Sequence, residues 1–160
     1  MTEDELRKQA WDFFQTQASQ RLTTFNFYLV LSSLLSTGFI ATSRPEFDMP
    51  HLSVTFGFLL VLFSFIFWKL DQRNRGLIKG AEETLKFFEK NSNFQDIEGI
   101  PHIAKRFVRE EFYTNQKKAN RSWCIWRNQY TYSECFRAVF MIFGTAGFAG
   151  TAWTVWRLVK

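Results

Sequence analysis

The chain has 160 residues, 20 of them Phe and six Trp, and a formal net charge of +5, an aromatic load suited to lipid contact and interfacial belts. Its two cysteines, Cys124 and Cys135, are far in sequence from both histidines, His51 and His102, so metal-ligand spacing is absent and the thiols read as a reduced cytoplasmic pair. No phosphate-binding glycine loop, nucleophile elbow or His-rich metal pair occurs, so neither an enzyme nor a cofactor is expected.

Residues 2–23 open with the capping-box spacing Thr2-x-x-Glu5 and place Leu6, Ala10, Trp11, Phe13, Phe14 and Ala18 on one broad side. This predicts an amphipathic helix lying at a membrane surface or packing on a partner. Residues 24–70 then hold two charge-free runs, Phe25 to Ala41 and Leu52 to Trp68, joined by a turn in which Pro45 and Pro50 break any helix. A helix rises about 1.5 Å per residue, so each run crosses a ~30 Å hydrocarbon layer by borrowing flanking residues, and the pair reads as a transmembrane hairpin. Span one comes too late, and its leader is too acidic, for a cleavable signal peptide.

Lys and Arg set the orientation. Arg7, Lys8 and Arg21 precede span one, Arg44 alone lies in the turn, and Lys69, Arg73, Arg75 and Lys79 follow span two. The N-terminus and the middle of the chain are therefore expected in the cytoplasm, with the protein multi-pass in its membrane.

Residues 71–137 form the expected cytoplasmic region. Nothing stops the span-two helix before Asn91, apart from the tolerated Gly76 and Gly80, so a helix of ~39 residues is predicted. Leu77, Ala81, Leu85 and Phe88 continue a seam along it that suits an oligomer contact, while Lys79 with Glu83 and Glu82 with Lys86 stand at ion-pairing distance on its wet side. Pro101 suits the first turn of a second cytoplasmic helix, with Ile103, Phe107, Val108 and Phe112 as its apolar face. From Pro101 to Arg137, eight basic residues stand against three acidic ones, which is the whole net charge. The basic residues Lys105, Arg106, Arg109, Lys117, Lys118, Arg121 and Arg127 are interleaved with Trp123, Trp126, Tyr130 and Tyr132. Such a stretch beside a bilayer is first a topology determinant and lipid anchor, next a surface for a cytoplasmic protein partner, and least a nucleic-acid site.

Residues 138–156 are a third apolar run, AVFMIFGTAGFAGTAWTVW. A full crossing would leave Arg157 and Lys160 outside, against the charge rule, so a re-entrant or surface-lying segment stays open. The run holds Gly144, Gly147 and Gly150, with Ala146-xxx-Gly150 and Gly147-xxx-Thr151 as small-xxx-small pairs. In the hairpin, Asn26, Ser33 and Thr37 follow one another at seven and four, and Gly57 and Ser64 at seven. These polar strips serve helix packing or a wet pore, and a pore would need a ring of copies, because two or three spans cannot enclose a channel. Arg44 and His51 fit the loose spacing of HEPN-type ribonucleases, but two prolines hold them in an external loop.

The chain thus reads as an all-α membrane protein with an amphipathic helix, a transmembrane hairpin, a long cytoplasmic extension of span two (FWKLDQRNRGLIKGAEETLKFFE), a second cytoplasmic helix and a third membrane segment. Over residues 2 to 90 this plan resembles the small two-span effectors of bacterial antiphage systems, such as SLATT-type effectors and the membrane accessory protein of some RNA-targeting CRISPR systems. The resemblance implies a homo-oligomer that permeabilises or depolarises the membrane when a partner triggers it. A membrane-anchored, non-enzymatic binding subunit that docks a cytoplasmic partner through residues 101–137 is the alternative.

Overall fold

The structure, a computed structural model, describes residues 2–44, 49–92, 101–102, 104–119 and 132–160, and for 117–119 the backbone alone. The expectations for Pro45, Ile103, Arg121, Trp123, Cys124, Trp126, Arg127 and Tyr130, and for the side chains of Lys117 and Lys118, lie outside the described residues. Four helices make up the fold among those described: α1 over Glu3–Thr42, α2 over Pro50–Lys90, α3 over Arg106–Ala119 and α4 over Tyr132–Val159. Of these, α1, α2 and α4 are long and apolar enough to cross a membrane.

The helix ends follow from local chemistry. The Thr2 amide donates to Glu5 Oε2 at 2.7 Å and the Glu5 amide donates to Thr2 Oγ1 at 3.4 Å, closing the capping box beside Glu3, Asp4 and Glu5 at the positive helix end. No proline or glycine interrupts α1 before Gly38, so the predicted interfacial helix and span one are one uninterrupted helix across residue 23. Pro50 occupies the first turn of α2, where its missing N–H costs nothing. Gly76 and Gly80 lie within α2, and a Cβ at either would meet nothing within 4 Å, so neither marks a close contact.

The chain divides into two compact units, to both of which α1 and α2 contribute. One comprises residues 20–73 and 130–160. Here the short turn makes α1 and α2 antiparallel, and α4 runs parallel to α1: Arg21 reaches Ser133, the Phe25 ring stacks on Phe136 at 3.7 Å, Tyr28 meets Phe140 at 4.7 Å, and Phe39 faces Gly150. Buried Tyr28, Phe67, Phe136 and Phe140 form the core, with Phe25, Leu31, Phe63, Trp68, Val139 and Phe143 packed on it. Lipid tails are as apolar as these side chains, so ring stacking and close van der Waals fit, rather than water exclusion, hold them together.

The other unit comprises residues 1–19 and 74–129. Trp11 and Phe14 of α1 meet Phe107 of α3 at 6.1 and 5.3 Å between ring centroids. Ala81 and Leu85 of α2 are buried. The expected start of α3 at Pro101 is corrected: buried Pro101 precedes a turn in which the Lys105 amide donates to the His102 carbonyl at 2.9 Å, and the helix begins at Arg106. Lys105 at the cap position has no acceptor for the free amides of the first turn. The Glu89 carboxylate of α2 supplies one, accepting from the Phe107 amide at 2.9 Å and the Val108 amide at 3.0 Å. Lys86 turns to Glu111 of α3 at 3.4 Å, in place of the expected pairing with Glu82 along its own helix.

Replacing Glu89 with Ala therefore removes the cap of α3 at a cost of roughly 1–2 kcal/mol. Hydrogen–deuterium exchange should quicken at the Phe107 and Val108 amides and remain unchanged in α4, with Glu89→Gln, which keeps an acceptor oxygen, less affected. Unaltered exchange at both amides would show that Glu89 is not the cap.

Candidate functional site

The polar and small residues of the three apolar helices form layers, which begin where the apolar runs meet charge. Arg21 Nε donates to Asp71 Oδ1 at 2.7 Å and Nη2 donates to Asp71 Oδ2 at 3.2 Å, a bidentate pair with both side chains nearly nine-tenths covered. The same Nη2 donates to Ser133 Oγ at 3.1 Å, and the guanidinium lies 5.0 Å over the Phe136 ring. One arginine thus ties α1, α2 and α4 together. Removing either member of such a covered pair would strand the other charge, which is why the two belong at this boundary and not deeper.

Two turns further in, Tyr28 is fully buried and its hydroxyl lies 2.8 Å from Ser64 Oγ. Ser64 donates its own hydrogen to the Leu60 carbonyl at 2.7 Å, so Tyr28 is the donor to Ser64. Gly144 of α4 faces Ser64, where a Cβ would sit 3.4 Å from the Ser64 Cβ. Ser32 Oγ is also buried and has no hydrogen-bond partner among the described residues.

Towards the turn the helices approach most closely. A Cβ on Gly57 would collide with Thr151 Oγ1, and one on Gly147 would lie 3.0 Å from the Gly57 carbonyl oxygen and 3.1 Å from Leu60 Cβ. Only glycine allows this α2–α4 crossing. Gly150 leaves the space that the Phe39 ring fills, and Ser43 Oγ meets Ser53 Oγ at 2.6 Å. From Arg21 to Ser43 α1 rises on the order of 33 Å, close to the thickness of a bilayer core. Aromatic side chains mark both levels: Lys69 lies 5.0 Å over Trp68 at one, and Lys160 lies 4.2 Å over Trp156 at the other.

The residues singled out from the sequence separate on this frame. Gly57, Ser64, Gly144, Gly147 and Gly150 come together between helices of the protomer. Asn26, Ser33 and Thr37 do not join them and are exposed on α1, one residue round from the inward row Ser32 and Leu35. Ser33 donates to the Leu29 carbonyl at 2.8 Å and Thr37 to the Ser33 carbonyl at 2.9 Å, so neither needs water or a second protein. Asn26 has no side-chain partner among the described residues. Of the seam, Ala81 and Leu85 are buried within the protomer, Phe88 is half-buried and Leu77 is exposed. Of the basic residues, Lys105 is buried, Arg106 is exposed, and Arg109 lies 5.6 Å over the Tyr113 ring. Sequence reasoning missed the Arg21–Asp71 pair and Tyr28. A carboxylate just past span two, opposite an arginine just before span one, was the available signal for the first.

The model of the octameric membrane protein family (8xMP) matches residues 4–156, all four helices and the third apolar run included. A relative from Escherichia coli, the CD-NTase-associated protein 19, is 32% identical over 137 residues, which cover 86% of this chain and 82% of that protein. No solved structure matches the chain.

The Tyr28–Ser64 pair makes an asymmetric prediction. Ser64→Ala leaves a buried phenol hydrogen with no acceptor, costing about 1–3 kcal/mol, whereas Tyr28→Phe removes the donor along with its need and costs roughly 1 kcal/mol. The double variant should unfold no earlier than Tyr28→Phe alone when the detergent-solubilised protein is melted. Fully additive losses would show that the two hydroxyls act independently.

Proposed function

The chain belongs to the octameric membrane protein family, and from that premise we propose that it acts as a ring of eight three-span protomers that opens an ion path across the bacterial inner membrane in antiphage defence. The observation that carries this reading is the position of Asn26. It lies about one and a half turns beyond Arg21 on the outward face of α1, and its amide has no partner among the described residues. A primary amide facing hydrocarbon is costly, so the face that bears it favours a wet path or a neighbouring copy over lipid. Eight copies of the strip Asn26, Ser33 and Thr37 would line such a path with one amide ring and two rings of hydroxyl oxygens, apolar enough to close when dry.

The protomer's own packing supports assembly. Fewer than a quarter of the residues in each apolar window are buried inside the protomer, so most of each span is left for lipid or for neighbours. Leu77 adds an exposed apolar position beyond the charged boundary for a contact between copies. The Lys and Arg bias around the hairpin favours a cytoplasmic N-terminus, and α4, parallel to α1, would then end on the periplasmic side with Arg157 and Lys160. The name of the Escherichia coli relative, a CD-NTase-associated protein, supports a CD-NTase as the partner that triggers it. The basic composition of residues 101–137, with Arg106 exposed on α3, would suit that partner. In this reading the protein is a non-enzymatic effector.

Two measurements test the proposal. A reporter in the turn between α1 and α2 and one at the C-terminal end of α4 should both read periplasmic, and a split result would overturn the topology. Purified protein should have eight times the protomer mass and leak ions when reconstituted in liposomes with its trigger. Asn26→Leu together with Ser33→Leu and Thr37→Leu should abolish the leak and leave membrane insertion and the octamer intact. Undiminished leak from an intact octamer would remove this strip from the path, and no leak from the triggered parent protein would favour the tethered binding subunit.

A further inference from the structure

We propose that the turn end of the three-helix bundle binds the phosphate of an anionic phospholipid headgroup, through the guanidinium groups of Arg44 and Arg157. The inference requires the three helices to be inserted in a bilayer and does not depend on whether the assembly conducts. A cavity of about 250 Å³ opens where α1 ends, α2 begins and α4 ends, and both arginines line it. Its floor is the Phe39 ring, seated in the space that Gly150 leaves.

The hydroxyls in its wall are committed elsewhere. Thr42 donates to the Gly38 carbonyl at 2.8 Å, Thr154 to the Gly150 carbonyl at 3.0 Å and Ser43 to the Phe39 carbonyl at 2.7 Å, which leaves Ser53 as the donor in the Ser43–Ser53 bond. Arg44 and Arg157 have no hydrogen bond or ion pair among the described residues, and none of the described lining residues is a carboxylate. Two planar cations lining one pocket, without a carboxylate partner among the described residues, suit a phosphate, whose oxygens they can hold in bidentate fashion.

The rim decides between a lipid phosphate and a free one. Met49, Trp153 and Leu158 line the same pocket and are exposed, at 52%, 65% and 47%. A soluble anion has no use for that apolar border, whereas a headgroup arrives attached to glycerol and acyl chains that can lie along it. The level also fits: Ser43 is on the order of 33 Å along α1 from Arg21, where headgroups stand.

Native mass spectrometry of the detergent-solubilised oligomer, offered phosphatidylglycerol and phosphatidylcholine in equal amounts, tests the site. The parent protein should retain phosphatidylglycerol at least tenfold over phosphatidylcholine. Arg44→Gln with Arg157→Gln should lose that preference, and Arg44→Lys with Arg157→Lys, keeping both charges, should retain part of it. Lys160→Gln, the same loss of charge at the same helix end but outside the pocket, should leave it unchanged. Equal retention of the two lipids by the parent protein would overturn the proposal without any variant, and so would an undiminished preference in the double Gln variant. Displacement of phosphatidylglycerol by an equal concentration of inorganic phosphate would assign the pocket to a free anion and overturn the lipid.

Discussion

Hydrocarbon offers no hydrogen bond, so a polar group carried into it is costly unless it finds a partner within the protein. The apolar helices meet that constraint mostly by back-bonding: Ser33, Thr37, Thr42, Ser43, Thr55, Ser64, Thr145, Thr151 and Thr154 each donate to a carbonyl four residues earlier on their own helix. Once so committed, a hydroxyl is small and nearly apolar, which lets these residues stand at close crossings such as Gly57 against Thr151. The groups too large or too charged for this solution are placed individually. Tyr28 donates to Ser64, and Arg21 is neutralised by Asp71 at the boundary. Asn26 has neither solution among the described residues, which makes it informative about assembly.

Much of this architecture was legible in the sequence because membranes impose long, simple signals. Charge-free runs gave three apolar helices, Pro50 gave the start of α2, and the unbroken pattern after Trp68 gave its length. The small residues of the third run stood out in the sequence, although periodicity alone does not say which face of α4 meets which helix. Contacts between residues remote in sequence were not legible. Arg21 to Asp71 spans fifty positions, and Glu89 caps a helix that begins seventeen residues later across residues of weak local preference. The start of α3 was misplaced for that reason: Pro101 is a strong local marker, yet the cap that fixes the helix start comes from another helix.

The seam at Leu77, Ala81, Leu85 and Phe88 illustrates a further limit. Apolar residues at helical spacing announce that something will cover them, and they do not announce what. Here the protomer itself buries Ala81 and Leu85, which leaves less of the stripe for a neighbour than its length suggests. The row Asn26, Ser33 and Thr37 is the opposite case, since its polar residues face out while the row one step round faces in. Sequence spacing identified both rows and could not orient either.

The crossing of Gly57 with Gly147 and Thr151 bears on how the protein is made. The α1–α2 hairpin is complete at Lys90, some forty residues before α4 begins at Tyr132, an interval on the order of seconds of synthesis. During it, the notch at Gly57 stands open to lipid or to another nascent chain, and its carbonyl face has no occupant. A hairpin that meets a second hairpin in that interval has the same notch to offer to either α4, so the order of synthesis leaves room for exchange of α4 between copies at Gly57.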